Sequence, residues 1–269
     1  MHEIDEKEAA HYKEEFHKLQ PGQIQDICKL YQLEQKLAAE VTTKHGSAGV
    51  NLWLHLKLGR HWKQELREPD YGRIAKSWSR PLPEAGSPNS LVETLFGDAG
   101  IMADPLLQAL DERCRGVYEL RFNERDHLVY WLDLSGQESP TRVKILAGGP
   151  PLGGDELRCA LEPYGLDASP FLGLFSLHNG FGPLQDAHYL WISECILPVD
   201  RWERLGYANR PNLVMIAPDA LGNGYCIDLE SSAKQKPQIV FYEHEGGEKS
   251  SPMELDQFYN DYFDALLSQ

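Results

Sequence analysis

Six short runs constrain the fold of this chain more than any other feature: VYELRF, HLVYWLDL, YLWIS, NLVMIA, YCIDL and QIVFYEH. Each is five to eight residues long, rich in β-branched and aromatic side chains, and closed by turn residues or charge. Runs of that length and composition are strands, and all fall far short of the ~18 apolar residues that a membrane-spanning helix needs. The first two are separated by Asn-Glu-Arg-Asp, which predicts a hairpin, and residues 141–146 predict a third strand beside it.

Helical periodicity surrounds these strands. Tyr12, Phe16 and Leu19 repeat at helical spacing before Pro21-Gly22 interrupts them. Ile24, Ile27, Cys28, Tyr31, Leu37 and Val41 form a second apolar stripe, which His45-Gly46 is expected to close. Val50, Leu52, Leu54, Leu56 and Leu58 alternate like a strand, but the leucine-rich composition and polar tail of VNLWLHLKLGRHWKQELRE favour a helix. The stretch RPLPEAGSPNS is loop chemistry, and residues 104–115 predict a short helix. Further helices are expected over 155–163, with Leu157 and Leu161 on one face, and over 171–177. LDQFYNDYFDALL predicts a closing amphipathic helix with Leu255, Phe258, Tyr262 and Leu266 inward.

Between the third strand and the 155–163 helix lies AGGPPLGG, four glycines and two prolines in eight residues. It is the strongest candidate boundary, dividing a helical and β-meander region (1–148) from a second domain (152–269). Helices, then strands, then a helix imply an α+β architecture with a largely antiparallel sheet.

Charge is unevenly spread across that boundary. Residues 1–150 hold 19 Lys/Arg against 23 Asp/Glu, whereas residues 151–269 hold 7 against 18, a balance of −11. So acidic a half repels phosphate backbones and attracts basic proteins, which argues against direct nucleic-acid binding. The N-terminal MHEIDEKEAAHYKEE is too acidic for a secretory leader and has no apolar core, so the cytoplasm is the expected compartment and no membrane is expected as a partner. Five scattered cysteines form no C-x-x-C pair and predict neither zinc nor a redox dithiol.

Three stretches could hold chemistry. His178-Asn179-Gly180, after the apolar run FLGLFSL, could orient a nucleophile, but no G-x-S-x-G motif exists, and Asn-Gly is how helices stop. Gly222-Asn223-Gly224 lacks a P-loop lysine and reads as a tight turn, flanked by Asp219 and Asp228, which could in principle act as acid and base. Glu243-His244-Glu245 ends a strand, where the glutamates share one face and the histidine points the other way, so three convergent metal ligands are not expected. His55 and His61 match no helical ligand pair. No metal, cofactor or catalytic residue is therefore assigned. Trp191 and Trp202 sit near charges and fit either a core or a protein-binding surface.

In order and spacing, FLGLFSLHNGFG, YLWIS, the Trp202 segment, NLVMIAPD, the Gly-Asn-Gly turn into YCIDLE, IVFYEH and the last helix resemble the SUKH superfamily over about residues 152–269. That superfamily includes yeast cell-wall synthesis regulators and bacterial toxin-immunity proteins. The resemblance implies an α+β domain without catalytic residues. Asn179 and Gly180 match the family's NG turn; Asp219, Gly222, Asn223 and Gly224 match its turn before the next strand, in which Asp228 lies. It also implies an immunity protein that occludes the active site of a cognate bacterial toxin, such as a nuclease or deaminase. Trp191, Glu230, Glu243 and Glu245 are the candidate contacts, chosen on charge and strand position. The alternatives are a regulatory scaffold of the yeast type, or a hydrolase using Asp219, Asp228 or His244.

Overall fold

The computed structural model describes residues 4–19, 27–58, 65–78, 95, 104–122, 125–134, 143–184, 197–205, 210–219 and 222–268. The candidate strand at 189–193 with Trp191, the loop at 80–90, and His61 lie outside the described residues.

Helix α1 (Glu6–Lys18) starts at Asp5, whose carboxylate accepts a hydrogen bond from the Glu8 amide at 2.7 Å, and its end charges suit the helix dipole. Its Tyr12 and Phe16 are buried against α2 (Ile27–Leu58), which is 32 residues long. The stop expected at His45-Gly46 is found as a kink, where two helical segments meet inside α2. Gly46 takes φ 55° and ψ −134°, and the helix resumes because Val50, Trp53 and Leu54 restore a buried apolar face. The alternation from Val50 to Leu58 is therefore helical, as its composition predicts.

Two antiparallel sheets follow, and with the helices they make the expected α+β fold. The first comprises β1 (Leu66–Arg67), β2 (Cys114–Phe122), β3 (Arg125–Asp133), β4 (Val143–Gly148) and β5 (Phe181–Pro183), in that order. Phe122 lies opposite Arg125, the hairpin read from the sequence. The second sheet comprises β6 (Glu203–Arg204), β7 (Leu213–Pro218), β8 (Gly224–Asp228), β9 (Gln238–Glu243) and β10 (Glu248–Lys249). Its order is β10-β9-β8-β7-β6, with β11 (Met253–Glu254) also paired to β9.

Both faces of the first sheet are covered, which is why burial is continuous from His127 to Leu132 in β3 and throughout β4 and does not alternate. One face packs Tyr118, Leu120, Val129, Trp131 and Ile145 against α1 and α2. The other gives Val117, Leu128, Tyr130, Leu132 and Leu146 to a core shared with Val214, Ile216, Ile227 and Ile239 of the second sheet. Into this shared core pack α3 (Tyr71–Ser77), α4 (Asp104–Arg113), α5 (Gly154–Leu161), α6 (Leu172–Phe175) and α7 (Leu255–Ser268). Leu157 and Leu161, and Leu255, Phe258, Tyr262 and Leu266, are all buried as their spacing predicts. The helix expected over 171–177 is shorter, a 3-10 turn at Ser169–Phe171 running into the four residues of α6.

The glycine-proline stretch at 147–154 joins rather than separates. Strand β5, from beyond the expected boundary, pairs with β4 before it, and the shared core draws side chains from Ile74 to Leu266.

Candidate functional site

The HNG triplet packs directly on that glycine stretch. The helix before the triplet ends at Phe175 with Ser176 as its cap, so HNG is not itself the helix stop read from the sequence. The amide of His178 donates to the carbonyl of Leu174 at 3.0 Å, and Gly180 takes a left-handed φ of 88° at the turn into β5. His178 itself is fully enclosed, stacked on Phe181 and edge-on to Trp78 and Tyr130. Its Nδ1 lies 2.8 Å from the carbonyl oxygen of Gly149, which can only accept, so Nδ1 carries the proton. Nε2 then accepts from the hydroxyl of Tyr130 at 2.8 Å. Burial pushes His178 down to about 4, so the ring is neutral at pH 7. A side chain on Gly148 would lie 2.4 Å from the His178 ring, and one on Gly149 would lie 2.9 Å from the carbonyl oxygen of Asn179. Both glycines are required by close approach. Asn179 completes the joint: its amide donates to the carbonyl of Pro150 and its Oδ1 accepts from the Val199 amide. Trp202 is also core, donating from Nε1 to the Leu197 carbonyl at 2.9 Å.

The Gly-Asn-Gly turn is the tight turn read from the sequence. Asp219 accepts from the Asn223 amide and from its Nδ2, both at 2.9 Å, and Gly222 takes φ 88°. A Cβ at Gly224 would lie 2.4 Å from the Ala217 carbonyl oxygen, so only glycine fits there. The Oδ1 of Asn223 accepts from the amide of His244 at 2.8 Å. This bond ties the turn to the β9–β10 hairpin, whose register sets Glu248 opposite Glu243. Glu243, Glu245 and Glu248 are all exposed there, and Arg210 Nη2 donates to the Gly247 carbonyl. Sequence reasoning missed Glu248; the two glycines after Glu245 are the signal that folds it back beside Glu243.

Asp228 sits at the far end of β8, opposite Leu213, four residues from Gly224 and hence about 13 Å along the strand. Its buried carboxylate accepts from Lys249 Nζ at 2.7 Å and from the Glu230 amide at 3.2 Å. Burial alone would raise it, but the bonds from Lys249, Ser231 and Glu230 outweigh that and hold it below the usual carboxylate range. Lys249 is a second residue that sequence reasoning missed. Asp219 and Asp228 are thus not brought together, and each is engaged in turn or strand structure. Glu230, exposed and bonded to Asn212 Nδ2, shares the Asp228 end and is separated from Glu243 and Glu245 by the length of the sheet. Cys114 and Cys226 are buried and pushed up to about 12, which leaves both as inert thiols.

Among the described residues no group of three His, Cys, Asp or Glu is placed to hold a metal ion, and no helix is long and apolar enough to cross a membrane. Compared with family models, curated proteins and solved structures, the chain matches none. What the geometry offers is an exposed acidic edge, Glu243, Glu245 and Glu248 on a hairpin bonded to the 219–224 turn.

Proposed function

We propose that this chain is an immunity-type binding protein that neutralises a bacterial toxin by covering a basic, substrate-binding surface. The observation that carries the proposal is the β9–β10 edge, where three exposed carboxylates project from a hairpin held in place by the Asn223–His244 bond. A preorganised edge loses little side-chain and loop entropy on binding, and its charge steers a cationic partner into register. The −11 balance of residues 151–269 supplies the long-range part of that attraction. The resemblance of the 152–269 segment to SUKH proteins points the same way. Of the four contacts read from the sequence, the proposal keeps Glu243 and Glu245, adds Glu248, and places Glu230 outside the patch.

The test is capture of partners from lysate of the source organism with the wild-type chain and with Glu243→Lys/Glu245→Lys/Glu248→Lys. The expected result is one basic protein, toxic when expressed alone, retained by the wild type and silenced by it in cells. Loss of retention in the triple variant supports the surface. Housekeeping partners held equally by both proteins would favour the regulatory scaffold.

A further inference from the structure

A cavity of about 480 Å³ opens between the 3-10 turn at Ser169–Phe171, the loop leading into β9, and the junction of β11 with α7. That volume falls within the ~300–1,000 Å³ of small-molecule sites. The cavity touches Gln238, the first residue of β9, whereas the acidic edge starts at Glu243, the last. The two are therefore about 17 Å apart along the strand.

The cavity walls are fixed by backbone bonds. The Asp167 amide donates to the Lys234 carbonyl at 2.9 Å, and the Ser169 amide donates to Asp167 Oδ1 at 3.0 Å, which docks the turn on the loop. The Gln238 amide donates to Ser232 Oγ at 2.8 Å, and β11 sets Glu254 opposite Gln238. Walls joined in this way need little ordering when a ligand arrives.

The lining divides by chemistry. Pro237 and Leu255 are buried and Pro170 is half-buried, which supplies an apolar floor. Lys236 is exposed on the loop, and Glu254 and Asp256 are exposed where β11 meets α7. Both signs of charge thus line one cavity, yet among the described residues none of these three side chains enters an ion pair. Unlike charges on separate walls, left unpaired, suit a ligand that itself carries both signs. Gln235 and Gln238 add carboxamides, which donate and accept.

We propose that this cavity binds a zwitterion of dipeptide size. Its ammonium sits at Glu254 and Asp256, its carboxylate at Lys236, and an apolar side chain on the floor of Pro170, Pro237 and Leu255. The site does not depend on the toxin-binding reading. All three charged groups are exposed, so each contact is screened by solvent and changes affinity only a few-fold.

The experiment follows backbone amide NMR shifts of the full chain, at low salt, during titration with glycyl-leucine, N-acetyl-glycyl-leucine and glycyl-leucinamide. Saturable shifts at Ser169, Gln235, Gln238 and Leu255 are expected in the millimolar range. Blocking either charged end should weaken binding about two- to fivefold, the scale of an exposed ion pair. Lys236→Gln should erase the preference over the amide while keeping the preference over the acetylated ligand. Glu254→Gln/Asp256→Asn should do the converse. Partial unfolding would weaken all three ligands together, so it cannot produce this crossed pattern. Absence of saturable shifts at the cavity with glycyl-leucine, equal affinity for the three ligands, or variants that leave both preferences intact would overturn the proposal.

Discussion

At the residue scale, His178 shows how one buried polar group can hold two distant segments together. Its partners lie 48 residues upstream at Tyr130 and 29 upstream at Gly149. Tyr130→Phe removes the donor to Nε2 and should cost about 1–3 kcal/mol in denaturant unfolding, the usual penalty of a buried acceptor left unpaired. Gly148→Ala should cost at least as much, because its Cβ would overlap the His178 ring. A pH dependence follows from the same burial. His178 and His127 are both pushed down by burial from 6.5 to about 4. The unfolded chain takes these protons below its own value near 6.5 while the folded chain does not. Their contribution is therefore complete above pH 6.5, declines as pH falls toward 4, and declines no further below that. Each shift corresponds to roughly 3 kcal/mol over that window. Denaturant titrations across it should show the decline, and a flat profile would contradict the buried neutral rings. That HNG is a structural turn was legible from Asn-Gly, although the helix before it already ends at Phe175. That its histidine fastens the glycine-proline stretch was not, because the partner tyrosine belongs to a strand whose spacing carries no mark of the contact.

At the element scale, two devices depend on single residues. Gly46 occupies a backbone region that side chains rarely adopt, so Gly46→Ala should cost about 1–3 kcal/mol and straighten or unfold the bend, measurable as a lower Tm and altered helical circular dichroism. Asn223→Ala removes the bonds to Asp219 and His244 together. It should cost about 1–2 kcal/mol and raise amide exchange in residues 238–249 before the rest of the sheet. Elements with a clear period were legible: α7 from its inward aromatics, β2 and β3 from their composition. The three residues of β5 were not, since so short a strand has no alternation to read. The interruption of α2 at Gly46 was legible from His-Gly; that a second helical segment runs on directly from the kink was not, because only the packing of Val50, Trp53 and Leu54 decides it. The 147–154 stretch misled for a related reason: glycine needed for close packing against His178 and Asn179 has the same composition as glycine in a linker.

At the scale of the whole molecule, two antiparallel sheets share one core, and the second carries its acidic hairpin edge on the strongly negative half of the chain. The net charge was legible from the sequence; which carboxylates sit together was not, because Glu230, in the turn after β8, and Glu243, the last residue of β9, sit at opposite ends of that strand pair. The central claim is that this edge meets a basic toxin surface. The most direct test is the association rate of the chain with the captured toxin, measured at low and high salt for the wild type and for Glu243→Lys/Glu245→Lys/Glu248→Lys. The account predicts a rate that falls steeply with salt and drops about tenfold or more in the variant, with neutralisation lost in parallel. A rate indifferent to both salt and charge reversal, with neutralisation intact, would contradict it.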